Sequence, residues 1–279
     1  MSVFRSFPSF SAVFRHAALC VTSLLMMAPF IWMVSTSLKS PAEIFDPGFS
    51  LFPKEFNGVE NYARALTASP LLRFLANGVF ICASIFTLQV AVCLPAAYAL
   101  AKKRFRCRQA LFGIVLICLM LPHQVLAIPL FLAGHQLGVM NSYTALIFPF
   151  IVSPFGIFLL RQFIMTVPDD LIHAARLDGL SETSIVWRVI FPIAAPAVAA
   201  FGVFSVVSHW NDLFWPLIAV QSQDLMTPPV GVAAFRDGEA GAEYGPLMAG
   251  ATIIVAPLLV CFLFAQRWFI EGLSAGAVK

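Results

Sequence analysis

The chain has 279 residues, 60% of them apolar and only 11% charged, with 28 phenylalanines and a net charge of +3. Soluble domains carry about 25% charged residues, and apolar runs of about 20 residues recur here, so composition excludes a soluble globular domain and a disordered chain. The small positive balance fits the basic flanks of membrane spans and requires no nucleic-acid partner.

Six spans are predicted in chain order, near residues 17–34, 74–101, 110–133, 143–160, 193–220 and 246–269, within one transmembrane domain covering 1–279. The predicted fold class is an all-α membrane protein with six transmembrane helices. Arg5 and Arg15 precede the first apolar run, which ends in Ser35-Thr36-Ser37 as a signal peptide would. Its length exceeds the usual apolar region of about 7 to 15 residues, which favours an uncleaved span.

Between the first two spans, 35–73 carries balanced charge, prolines and aromatics, and a later loop, 221–245, is rich in glycine and acids. Either could meet a soluble partner or serve as a solvated connector. Basic residues stay on the cytoplasmic side of short loops. Placing the amino terminus inside puts Arg5, Arg15, Lys102, Lys103, Arg104, Arg106, Arg108, Arg161, Arg176, Arg188, Arg267 and Lys279 there, twelve of the seventeen Lys and Arg residues. Both termini are therefore expected in the cytoplasm, with the cluster 102–108 setting topology against anionic headgroups of the lipid bilayer.

Five of the six cysteines fall inside apolar runs and Cys107 lies in the basic cluster, so no disulfide framework is expected. No metal-ligand spacing and no phosphate-cradling glycine loop occurs. No cofactor is expected on this chain, and ATP, if used, belongs to a partner subunit.

The predicted spans hold many prolines, including Pro95, Pro122, Pro149, Pro154, Pro196 and Pro257, which bend membrane helices where neighbours re-satisfy the freed carbonyl. Polar residues at membrane depth are fewer: His123 and Gln124 in the third span, and Ser205, Ser208, His209, Asn211 and Asp212 in the fifth. Ionisable groups in lipid face a bundle interior or a wet cavity, so His123, Gln124, Asn211 and Asp212 are candidates for lining a pathway. A second reading stays open, in which Trp210 and Trp215 form an aromatic belt and hold Asp212 at the interface. Asp212 is the single acid within the six predicted spans, whereas an ion-coupled secondary carrier normally needs several buried charges.

Between the fourth and fifth spans lies the loop 161–192, containing DLIHAARLDGLSETSIVWRVIFP. Pro168 suits the first helical position, and Asp169 and Asp170 complement the positive end of the helix dipole. Gly179 supplies a left-handed helix end, and Ser181 caps a second helix running toward Pro192. The expected exposed face combines Ala174 and Ala175 with Leu171, Leu177, Arg176 and Asp178. It would dock on another surface or lie at the headgroups.

This segment resembles the loop of permease subunits of ATP-binding-cassette importers, whose pattern is Glu-Ala-Ala, three residues, Gly, nine residues, then Ile-x-Leu-Pro. The chain has His173-Ala174-Ala175, three residues, Gly179, nine residues, then Val189-Ile190-Phe191-Pro192, with His173 in place of the glutamate. The stretches LRQFIMTVPDDLIHAARLDG, WNDLFWPL, MLPHQVLAIPL and GLSAGAVK are similar to recurrent stretches of the smaller, maltose-type carbohydrate permease. The resemblance implies a type I importer permease fold in the bacterial inner membrane and a non-catalytic role. It implies ATPase coupling through His173, Ala174, Ala175, Arg176, Asp178 and Gly179, and an ATPase-contacting tail with Gly272, Ser274, Gly276 and Lys279. The implied partners are a second homologous permease, an ATPase dimer and an extracytoplasmic solute-binding protein. A permease of the same kind for glycerol phosphate also fits the sequence.

Overall fold

The computed structural model describes residues 10–48, 50–233 and 243–274, with side chains described between 14 and 263 in those ranges. Regular structure among these residues is helical, apart from one isolated antiparallel bridge between Lys39 and Phe56. Three helices are long and apolar enough to cross a membrane: Phe14–Ser37 (within the helix Phe10–Ser37), Leu71–Lys102 and Tyr244–Leu263 (within Tyr244–Ser274). Three bent pairs bring the total to as many as six if each pair is one span.

The predicted third and fourth spans are each two helices that meet at a bend, and the predicted fifth begins where the second loop helix turns into Ala195–Trp210. Arg108–Met120 and His123–Gln136 meet at 98°, Tyr143–Phe150 and Pro154–Thr166 at 41°, and Glu182–Ile193 and Ala195–Trp210 at 81°. The fifth span as predicted, 193–220, ends early at Trp210, and Phe214–Ala219 forms a separate short helix. Proline explains the breaks better than it explains kinks. Pro122 is the extended residue before the 3₁₀ turn His123–Leu126, and Pro154 and Pro196 sit in the first two positions of their helices. There the missing N–H costs nothing, since it would be unpaired anyway.

The chain divides into two compact units, one comprising 1–68 with 235–253 and the other 69–234 with 254–279. In the first unit the long helix Phe10–Ser37 exposes Leu24, Leu25 and Met26, an apolar surface that water would not tolerate but lipid does. Its carboxyl end is held by the short helix Gly58–Thr67, whose Asn61 side-chain amide donates to the carbonyls of Ser37 and Lys39 at 2.9 Å each. The second unit is built on the helix Leu71–Lys102, which packs against Pro154–Thr166 and Ala195–Trp210.

Small residues set the seams of Ala195–Trp210 with both Leu71–Lys102 and Pro154–Thr166. A Cβ on Gly156 would lie 2.5 Å from the Phe201 ring, and one on Gly202 would lie 2.9 Å from the Phe86 ring. Without Cβ atoms the backbones approach closely enough for the rings to fill the seam. The resulting core joins Cys93, Leu94 and Ala97 to Leu160 and Ile164, then continues without interruption to Ile172, Ala175, Ile185 and Ile190 of the loop. The loop is thus packed onto the same core as the helices that carry it.

Candidate functional site

Two features of the second unit stand out. One is a polar cavity of about 500 Å³ lined by Gln89, His123, Gln124, Phe150, Ser153, Ser208, His209, Asn211 and Asp212 among others. The other is the two-helix loop at the opposite end of the shared core.

The cavity exists because helices break around it. The 3₁₀ turn after Pro122 carries His123 and Gln124, and the end of Ala195–Trp210 carries Ser208, His209 and Asn211. The helix Leu71–Lys102 contributes Gln89, which is buried at 3% exposure. Its amide nitrogen lies 2.8 Å from the Phe150 carbonyl oxygen, to which it donates, and 3.3 Å from His209 Nε2. Its carbonyl accepts from the Ser205 hydroxyl at 2.6 Å. One glutamine therefore connects three segments, and every polar atom it buries there has a partner, as a low-dielectric interior demands.

Asp212 sits where the fifth span breaks. Its Oδ1 accepts the N–H groups of Phe214 at 3.0 Å and Trp215 at 3.3 Å, turning the chain into Phe214–Ala219. Trp210 and Trp215 are each 4% exposed, with ring N–H groups donating to the carbonyls of Ile254 and Ala145. Both rings are buried within the protein, and Asp212 lines the cavity beside them. All four residues expected to line a pathway, His123, Gln124, Asn211 and Asp212, share this one cavity.

The loop begins with the helix Asp169–Leu177. Pro168 stands one position earlier than expected, as the extended residue before the helix, and Asp169 and Asp170 fill the first turn. Asp178 closes the helix. The N–H of Gly179 then bonds to the Arg176 carbonyl and that of Leu180 to the Ala175 carbonyl, both at 3.0 Å. This is the Schellman pairing, and Gly179 takes the left-handed conformation it needs, with φ +80°. Ser181 then accepts the Ser184 N–H at 3.3 Å and starts the next helix. That helix passes through a π-helical stretch, Val186–Ile190, before Pro192. The widened turn tolerates the N–H that Pro192 lacks.

Six loop residues were expected to contact an ATPase, and the structure divides them. His173, Ala174, Asp178 and Gly179 are exposed, with Leu171, Ala174 and Leu177 forming an outer stripe on which Leu177 is 89% exposed. Ala175 is 6% exposed and packs beside Ile172 in the core, so it belongs to the inner face and not to the exposed one. The helical repeat places 172 and 175 on one side and 171, 174 and 177 on the other. Arg176 is half-buried and its Nε donates to Glu182 Oε1 at 3.0 Å.

Glu182 is a hub that sequence reasoning missed. It pairs with Lys103 and Arg176 and accepts the Tyr98 hydroxyl at 2.9 Å. The Lys103 ammonium, the largest influence, holds the Glu182 carboxyl below its ordinary value, and Glu182 in turn raises Arg176. Lys102 bonds Asp169 at 2.7 Å and holds that carboxyl low as well. The basic residues 102 and 103 therefore clamp the loop, beyond any part they play in topology. The signal for Gln89 was present: a glutamine deep inside a long apolar helix is an expensive residue that needs partners.

Of the expected tail contacts, Gly276 and Lys279 lie outside the described residues. Gly272 and Ser274 end the helix Tyr244–Ser274, and their side chains are outside the described ones.

Comparison with known proteins agrees with this architecture. The arabinooligosaccharides transport system permease protein AraQ of Halalkalibacterium halodurans is 33% identical over 259 residues, 92% of each chain. The sn-glycerol-3-phosphate transport system permease protein UgpE of Pectobacterium atrosepticum is 30% identical, covering 94% of this chain and 95% of its own. A crystal structure of a bacterial ABC transporter involved in import of the acidic polysaccharide alginate shares the fold, with a TM-score of 0.81 at 23% identity, covering 94% of this chain and 99% of that one. Residues 91–274, which hold the whole loop and most of the cavity, match the family described as binding-protein-dependent transport system inner membrane component. The chain is a member of that family of transport permeases.

Proposed function

We propose that the chain is the membrane-spanning permease subunit of an ATP-driven, binding-protein-dependent importer of a saccharide or saccharide derivative. The relative for arabinooligosaccharides supports a sugar, and the relative for glycerol phosphate keeps a phosphorylated polyol as the nearest alternative. In this reading six spans cross the membrane with both termini and the loop 161–192 in the cytoplasm. A second homologous permease completes the pathway, a solute-binding protein delivers cargo outside, and an ATPase dimer holds the loop. ATP is bound by that partner, and the tail reaches it through Gly272, Ser274, Gly276 and Lys279.

The observation that carries the reading is the mechanical continuity of the second unit. The exposed stripe of Leu171, Ala174 and Leu177 is backed by Ile172 and Ala175, which share one core with the helices Leu71–Lys102 and Pro154–Thr166. Motion imposed on the stripe by a partner is transmitted to helices that line the cavity, because a close-packed core does not deform continuously. A loop docked on two alternative partner states would bias the cavity between two arrangements.

The test is uptake of labelled saccharide into vesicles holding the assembled transporter and its loaded binding protein. Uptake is expected to require ATP on the loop side and to survive a protonophore. Uptake that persists without ATP and collapses with the proton gradient would instead establish an ion-coupled carrier.

A further inference from the structure

The family and the fold do not say whether this subunit itself touches the cargo. From the cavity's lining we infer that this chain carries its own solute subsite, built for an uncharged, hydroxyl-rich ligand and closed to anions; the inference rests on the importer reading above.

The volume of about 500 Å³ lies inside the range of small-molecule sites, about 300–1,000 Å³. Its lining offers the groups that neutral sugars need. Gln124 and Asn211 supply amides, Ser153 and Ser208 hydroxyls, and His123 and His209 ring nitrogens, so donors and acceptors alternate around one space. Phe150 and Phe214 add apolar faces, against which the C–H face of a sugar ring packs. Sugar hydroxyls both donate and accept, which matches this mixed inventory.

An anion finds the opposite. Among the described residues no lysine or arginine lines the cavity, and Asp212 places a carboxylate in its wall. Phosphate and carboxylate ligands are ordinarily held by guanidinium or ammonium groups or by free backbone N–H donors. Here the N–H groups of Phe214, in the wall, and of Trp215 behind it are already taken by Asp212 Oδ1. That carboxylate occupies the position an anion would need and repels it.

The site is also preorganised from behind. Gln89 fixes His209 and the Phe150 backbone through its amide and is itself fixed by Ser205. His209 and the Phe150 backbone thus rest on a buried network. His123 and Gln124, in contrast, are exposed on their 3₁₀ turn and can be replaced without disturbing a core.

The experiment is saturation-transfer NMR on the full-length chain, purified with its partner permease in lipid nanodiscs. The probes are arabinotriose, lactose, maltose and sn-glycerol 3-phosphate. Saturation is expected on at least one neutral saccharide and not on the phosphate ester. Gln124→Ala should weaken the saccharide signal about tenfold, the cost of one or two hydrogen bonds. Asp212→Asn keeps a side-chain acceptor for Phe214 and Trp215, and should admit the phosphate ester while retaining saccharide. Binding of the phosphate ester by the unaltered protein, saccharide binding that Gln124→Ala leaves unchanged, or no saturation of any probe would each overturn the subsite. ATPase stimulation of the assembled transporter by its loaded binding protein is measured in parallel. Stimulation without saturation removes the subsite alone, whereas absence of stimulation removes the importer reading on which it stands.

Discussion

The Tyr98 hydroxyl donates a hydrogen bond to Glu182 Oε2 at 2.9 Å, joining the end of the helix Leu71–Lys102 to the start of the second loop helix. The same carboxylate pairs with Lys103 and Arg176, so one acid collects the helix end, the first loop helix and the second. The loop is held to its parent helix by polar contacts at its edge and by Ile172 and Ala175 beneath.

Glu182→Gln keeps an acceptor for Tyr98 but removes the charge that Lys103 and Arg176 face. Because these groups are substantially exposed, the loss is limited to about 1 kcal/mol, roughly fivefold in local opening. Hydrogen exchange of amides in 169–185 should accelerate by about that factor in Glu182→Gln and by less in Tyr98→Phe. Exchange identical to the unaltered protein would show that the hub does not fasten the loop.

Lys102 depresses the Asp169 carboxyl from its ordinary 3.8, with smaller help from His173 and Arg176. The folded value is below the unfolded one, so the contribution is present above pH 3.8 and disappears as pH falls through the folded value. Loop exchange rates, corrected for intrinsic rates, should therefore be flat from neutral pH down to about the ordinary carboxylate range and rise only below it. In Asp169→Asn the acid rise should shrink and the neutral-pH rate should already be higher.

Gly179 has φ +80° and open space around its Cα, with no atom within 4 Å of an added Cβ. Replacement is therefore penalised by backbone conformation alone, about 1–2 kcal/mol for a β-branched residue and less for asparagine. Gly179→Val should reduce ATPase stimulation by the loaded binding protein, and Gly179→Asn should largely keep it. Equal stimulation in both variants would mean that the left-handed turn is not needed for docking.

The loop was legible because its determinants are local. Pro168, Gly179 and Ser181 act on their immediate neighbours, and the structure shifts the first helix from the expected bounds by only a residue or two. The four residues that share the cavity were legible as candidates because polar groups stand out in apolar runs. The bend angles of 98° and 81° were not, since hydropathy is blind to the direction of a helix axis. The pairings of Gln89 and Glu182 escaped for a different reason. Phe150 and His209 lie 61 and 120 residues from Gln89, and Tyr98 lies 84 from Glu182, distances at which one sequence carries no pairing signal.

Close approach at Gly156 gives a packing prediction. The Phe201 ring fills the space of the missing Cβ at 2.5 Å, and Phe201 is itself fully buried, so the ring has little room to yield. Gly156→Ala should destabilise by about 1–3 kcal/mol, the usual cost of overpacking. Thermal unfolding in detergent should show the loss, and the double variant Gly156→Ala, Phe201→Leu should recover part of it. A double variant no better than the sum of its parts would place the strain elsewhere.

Gln89 offers the sharpest separation of stability from cargo binding. Gln89→Leu fills similar volume but removes the acceptor of the Ser205 hydroxyl and the side-chain donor to the Phe150 carbonyl. Hydrogen bonds inside membranes are worth about 0.6–1.7 kcal/mol each, so a loss of about 1–3 kcal/mol is expected for the pair. Gln89→Glu retains the acceptor for Ser205 but places a carboxylate oxygen against the Phe150 carbonyl, and should be no more stable than Gln89→Leu. Thermal unfolding in detergent ranks the three proteins. An unchanged midpoint for Gln89→Leu would show that the network carries no net stability, and the glutamine would then be retained for its contact with His209 alone.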